Sequence, residues 1–303
     1  PVIPALWEAE AGRLLEPSSS RPELATQRDP NSTKKQIRKK VDIVREKCIK
    51  SRYGIVDLFT DCERLGYKVI RYPLGEDSDL GFSVQRNKDT IIFTNSSVRL
   101  AREIFTLAHE IGHIELHFST STSYIDNSQT LGGKKLNVHE QEANYFAACL
   151  LMPRDEIERF LDIELDKTSK EKLSAKDIAR MMSEFNVSFD MALNRLENLE
   201  IITSEQKLQL DSEKIEKKVS NLLRSVGGNS KLNDVSDIVD LPHEYIDYAI
   251  FNYNKNAIPQ ETLVKTLQYY NLTLDDISDE LKIKPETENE LDDIDELIGG
   301  IEY

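Results

Sequence analysis

Apolar positions along the chain change period several times, and each change marks an element. From Lys34 to about Lys50 they recur at three- and four-residue spacing within a basic stretch, which predicts a helix; a second follows at about 54–65. Tyr67–Tyr72, Gly81–Gln85 and Thr90–Thr94 are short β-branched or aromatic runs bounded by turn residues. They read as a three-stranded, mainly antiparallel sheet, with Asn87-Lys88-Asp89 as a hairpin turn. Helical spacing then resumes in a long helix, for which Asn95-Ser96-Ser97 offers an N-cap. Residues 118–137 are rich in Ser, Thr, Asn and Gly and read as a mobile connector. Further helices are predicted at about 138–151, 154–161, 174–185, 188–199, 204–225, 242–253, 259–270 and 273–281.

The long helix carries the chemistry. His109-Glu110-Ile111-Gly112-His113 spells H-E-x-x-H inside an apolar helical pattern. Residues four apart share a helix face, so both imidazoles can address one metal ion. Glu110, next to the first histidine, can reach a metal-bound water as general base. A catalytic zinc needs three protein ligands and an open position. Ile114-Glu115-Leu116-His117 lacks the glycine turn of the H-E-x-x-H-x-x-G-x-x-H form, so the third ligand is expected on a distant glutamate. The helix at 138–151 offers Glu140, with Glu142 as alternate. At 100° per residue the two lie about 200° apart and cannot both face the metal. Glu140 has Asn144 four residues on, placed to orient its carboxylate from behind; Glu142 has Phe146. His117 is rotated about 80° from His109 and reads as a supporting or surface group, His139 as a surface or capping one. Tyr124 and Tyr145 are candidate transition-state donors, and Met181-Met182 read as core.

Phe105 through His113, followed by Glu140-x-Glu142-Ala143-Asn144-x-Phe146-Ala147-Ala148-x-Leu150-Leu151-Met152-Pro153, resembles the ImmA/IrrE family of zinc metallopeptidases over about residues 35–200. The resemblance implies a cytoplasmic peptidase that cleaves or inactivates a helix-turn-helix repressor, of the kind found in mobile elements and stress-response operons. It implies zinc held by His109 and His113 with Glu110 as base, and leaves Glu140 and Glu142 undivided as third ligand.

Composition narrows the alternatives. With 39% hydrophobic and 31% charged residues the chain fits a soluble globular protein. It has no apolar run long enough for a membrane helix and no signal-peptide pattern. Three cysteines, none in a C-x-x-C arrangement, read as reduced thiols of a cytoplasmic protein. Residues 201–303 hold 10 basic and 22 acidic residues, a net of −12, against −3 for residues 1–200. That argues against a DNA footprint and suits a basic protein partner. Residues 175–199 follow a helix-turn-helix pattern pivoting on Phe185-Asn186-Val187-Ser188. Asp190 and Glu197 on the second helix argue against direct DNA binding. Residues 1–33, with five prolines and no sustained periodicity, resemble a translated Alu repeat and are set aside as a leader or non-native scar.

The expectation is therefore an α+β zincin-like fold: a peptidase domain at 34–165 with a small sheet and the H-E-x-x-H helix. A helix-turn-helix-like segment at 166–202, a helical domain at 203–284 and an acidic disordered tail at 285–303 follow. The expected activity is zinc-dependent endopeptidase cleavage of a specific protein, with Glu110 assisting attack of a zinc-bound water. The rival is a non-catalytic zinc protein, an antitoxin or anti-repressor, that sequesters its partner.

Overall fold

The computed structural model describes residues 30–86, 89–118, 123–126, 138–167, 172–242 and 244–282. These fall into two compact units that divide between Leu241 and Pro242.

In the larger unit, α1 (Pro30–Lys47) begins four residues before the expected helix, with proline at its first position, where the missing N–H costs no hydrogen bond. Helix α2 (Leu58–Leu65) is capped by the Asp57 carboxylate, which accepts from Phe59 N and Thr60 N. It ends at Gly66, whose φ of 83° few other residues tolerate. Strands β1 (Tyr67–Tyr72), β2 (Gly81–Arg86) and β3 (Asp89–Asn95) form within a residue or two of the sequence expectation.

The sheet has four strands among the described residues, in the order β1-β3-β2-β4. The fourth, β4 (Ser123–Asp126), comes from the stretch read as a connector and pairs antiparallel with β2, Gly81 opposite Asp126. The rest of that stretch, 119–122 and 127–137, lies outside the described residues. The pair β2–β3 is antiparallel, with Arg86 opposite Asp89, and β1 runs parallel to β3 from Tyr67↔Thr90 to Tyr72↔Asn95.

Helix α3 (Leu100–His117) lies against the β2 and β3 faces, and α4 (Val138–Leu151) lies along α3. The N-cap expected from Asn95-Ser96-Ser97 does not form. Asn95 is drawn into the loop before β2, donating to Gly75 O and Asp79 O and accepting from Leu74 N. The helix starts three residues later, and Leu100 N donates to Asp234 O at 2.9 Å. Residues 234–240 form a strap here, with Arg99 bridged to Val235 and Arg71 to Asp240.

Around α3 and α4 pack α1, α5 (Arg154–Glu164), α6 (Ala175–Phe185) and α7 (Phe189–Asn198), sharing one core that includes Ile111, Phe146, Leu150, Ile157, Met181 and Met182. The α6–α7 turn has the expected signals: Asn186 in the left-handed region and the Ser188 hydroxyl accepting from Met191 N. The single helix expected at 204–225 is broken at Lys218, φ 60°, into α8 (Ser204–Lys217) and α9 (Val219–Ser225). Their Leu210, Leu222 and Leu223 belong to the same core. The smaller unit holds α10 (Tyr245–Asn254), α11 (Gln260–Gln268) and a 3-10 turn (Asp275–Glu280) around Ala249, Ile250, Leu263 and Leu267.

Candidate metal centre

Helix α3 is buried on nearly every side. Ala101, Ile104, Leu107, Ala108 and Ile111 meet apolar neighbours, so its polar groups can stay buried only with partners. Glu103 takes two hydrogen bonds from the Arg71 guanidinium (2.9 and 2.8 Å), one from Thr94 and one from Ser236 (2.9 and 2.6 Å). Two turns on, His109, Glu110 and His113 are equally buried.

Two glycines set how closely the layers approach. A Cβ on Gly112 would lie 3.1 Å from Ala143 Cα and 3.2 Å from Ala143 O, so α3 and α4 nearly touch there. A Cβ on Gly81 would lie 2.6 Å from Thr106 Cγ2, which brings β2 onto the helix. The first contact presents Glu140 to the histidines; the second presents Ser83 to Glu110.

His109 Nε2 lies 2.9 Å from His113 Nε2. Glu140 Oε2 is 3.2 Å from the first and Oε1 is 3.3 Å from the second. Ligands about 2.0–2.1 Å from a tetrahedral zinc stand about 3.3–3.4 Å apart, so the triangle has the size of one face of such a site. Among the described residues, His109, His113 and Glu140 form the one cluster of this kind.

The outer contacts fit a cation. His109 Nδ1 is 3.1 Å from Asn144 Oδ1, an oxygen that only accepts; His109 must carry its proton on Nδ1, leaving the Nε2 lone pair toward Glu140. Two such lone pairs and a carboxylate within about 3 Å repel unless a cation lies among them.

The neighbouring residues divide as follows. Asn144 supports His109, not the Glu140 carboxylate as its spacing suggested. Glu142 turns to His117, with Oε2 3.0 Å from Nε2. His117 is buried, stacks on His139 with centroids 4.3 Å apart, and has its pKa lowered by burial against the opposing pull of Glu142. His117 thus takes the supporting place of its two readings, and His139 is half-buried. Lys34 lies over the Tyr145 ring, and burial followed by Cys149 raises the pKa of Tyr145. Tyr124 lies in β4, whose side chains are outside the described residues. Ser83, not anticipated from sequence, donates to Glu110 Oε2 at 2.6 Å. The only hint of it was the small pair Gly81 and Ser83 alternating with Phe82 and Val84, so that one strand face can approach a helix. A cavity of about 1100 Å3 between the start of α3, α7 and residues 232–235 shares only Asn144 with this cluster.

The sequence around this cluster matches a known family model. Residues 62–197 match the IrrE N-terminal-like domain, Peptidase M78. That match covers less than half of the chain. The M78 domain thus runs from α2 through α7 and contains both histidines, Glu110, Glu140 and Glu142. The chain is also 32% identical over 74 residues to uncharacterized immunity region protein 2 of Bacillus phage phi105. That alignment covers 24% of this chain and 45% of the phage protein, so the chain spans less than half of this relative's length. No helix among the described residues is long and apolar enough to cross a membrane.

Proposed function

We propose that the chain is a zinc-dependent endopeptidase whose M78 domain cleaves one specific cytoplasmic protein, a helix-turn-helix transcriptional repressor. The observation that carries this reading is the triangle of His109 Nε2, His113 Nε2 and Glu140, within 3.3 Å of one another beside a buried Glu110. These three residues would hold the ion, and Asn144 would fix the ring of His109. When bound, zinc supplies a Lewis acid that acidifies water and polarises a carbonyl. Glu110 takes the proton of the attacking water and returns it to the leaving amine. Ser83, donating to one oxygen of Glu110, would hold that carboxylate in place.

Two facts support a repressor as substrate. The phage relative is named for an immunity region. Residues 242–303 hold 15 acidic and 4 basic residues, a net of −11, which would attract the basic surface of a DNA-binding protein. That attraction is screened over about 10 Å at 0.1 M salt and acts mainly on association rate.

The test is co-expression with a candidate repressor, followed by intact-mass analysis. Wild type should cut at one site. Glu110→Gln should retain zinc and lose about 10²–10⁴-fold in rate. Deleting residues 242–303 should slow cutting and flatten its salt dependence. Wild-type rates from Glu110→Gln would overturn the mechanism, and equal cleavage of casein would overturn the specificity.

A further inference from the structure

The two histidines of the triangle are supported in unlike ways. Behind His109 stands a neutral amide, Asn144. Behind His113 stands a second imidazole: His117 Nδ1 is 3.2 Å from His113 Nδ1, and His117 Nε2 is 3.0 Å from Glu142 Oε2. Both links are buried at the His117 end, and the His139 ring stacks over His117 at 28°. The two glutamates of α4 are thus both used, on different faces of the helix: Glu140 toward the Nε2 atoms and Glu142 toward His117.

The hydrogen-bond chemistry gives this chain a direction. A carboxylate only accepts, so neutral His117 carries its proton on Nε2 and offers a bare Nδ1. That nitrogen can only accept from His113, so His113 carries its proton on Nδ1 and its Nε2 lone pair points at Glu140. Each link leaves the next group one choice. Reversing the His117 tautomer would set a bare nitrogen against the carboxylate and turn an N–H toward the Nδ1 proton of His113.

We propose that Glu142, acting through His117, is the positioning residue for His113: it locks the tautomer and ring orientation in which His113 Nε2 can bind zinc. This rests on the metallopeptidase reading above and adds a second carboxylate that serves the metal without touching it. Because the relay ends on a charge, it increases the electron density of His113 more than the amide does that of His109.

Zinc affinity of the full-length protein, measured by chelator competition, tests this independently of activity. Glu142→Ala should bind one zinc about 10–100-fold more weakly. Glu142→Gln, which keeps an accepting oxygen without the charge, should fall between it and wild type. His117→Phe should weaken zinc comparably, and adding Glu142→Ala to it should cost nothing more, since the chain is already cut. Long-range proton–nitrogen NMR of the zinc-loaded wild type should show His117 protonated on Nε2 alone. A purely structural tie between α3 and α4 would lower the stability of the zinc-free variants and leave their zinc affinity unchanged; that result overturns the inference. So would an Nδ1-protonated His117, or loss of all zinc from Glu142→Ala with retention by Glu140→Ala. A wild-type protein that binds no zinc would overturn the metallopeptidase reading as well.

Discussion

Gly112→Ala probes the spacing between the two helices that carry the triangle, because two opposing effects of known size meet there. Gly112 is in the middle of an eighteen-residue helix, where replacing glycine by alanine ordinarily gains about 1 kcal/mol. Against that stands the α4 surface. The new Cβ would lie 3.1 Å from Ala143 Cα, 3.2 Å from Ala143 O and 3.2 Å from Phe146 Cβ. Two of these are backbone atoms, which no rotamer change can move, so the helices must part by a few tenths of an ångström. Overpacking of this kind costs about 1–3 kcal/mol. The packing cost exceeds the propensity gain, and the net should be a destabilisation of up to about 2 kcal/mol.

The same displacement moves Glu140, on α4, away from His109 and His113, on α3. A metal site tolerates ligand errors of only about 0.2 Å, so zinc affinity should fall about tenfold or more. Urea unfolding of the zinc-free variant reads the first effect, and chelator competition on the folded protein the second. A variant that is about 1 kcal/mol more stable than wild type and binds zinc equally well would show that Gly112 does not set the spacing.

Other consequences follow from single contacts. Glu103→Ala leaves Arg71 as a buried unpaired charge beneath the strap at Ser236 and should destabilise the fold by about 3–5 kcal/mol in denaturant; a loss under about 1 kcal/mol would refute the buried network. Ser83→Ala frees Glu110 Oε2 and should lower kcat with little change in zinc content, whereas unchanged kcat would remove Ser83 from the site. Burial pushes the Asp177 carboxyl up, but Lys167 and Ser174 outweigh it and leave it below its ordinary value. Its stabilising contribution is then present above the unfolded value of about 3.9 and lost as pH falls through the folded one. The stability gap between wild type and Asp177→Asn should be open at pH 7 and close below about pH 4; a gap independent of pH would refute this.

The features legible in the order of residues are those that local geometry sets. An α-helix turns 100° per residue whatever surrounds it, so H-E-x-x-H alone puts His109 and His113 on one face, and Glu140 and Glu142 on different ones. Strand alternation and turn residues located β1, β2 and β3 for the same reason, and Asn186 and Ser188 the α6–α7 turn.

The tertiary structure decided which distant surfaces meet. Which face of α4 meets α3 depends on Gly112 against Ala143, and that contact sends Glu140 to the histidine triangle, Asn144 to His109 and Glu142 to His117. No periodicity within α4 encodes it. The parallel pairing of β1 with β3, the fourth strand from a polar stretch and the carbonyl of Asp234 at the start of α3 are likewise contacts between distant segments. Asn95 was legible as a capping residue type. Its side chain was claimed instead by three backbone groups of the loop before β2, a competition that only the folded chain resolves.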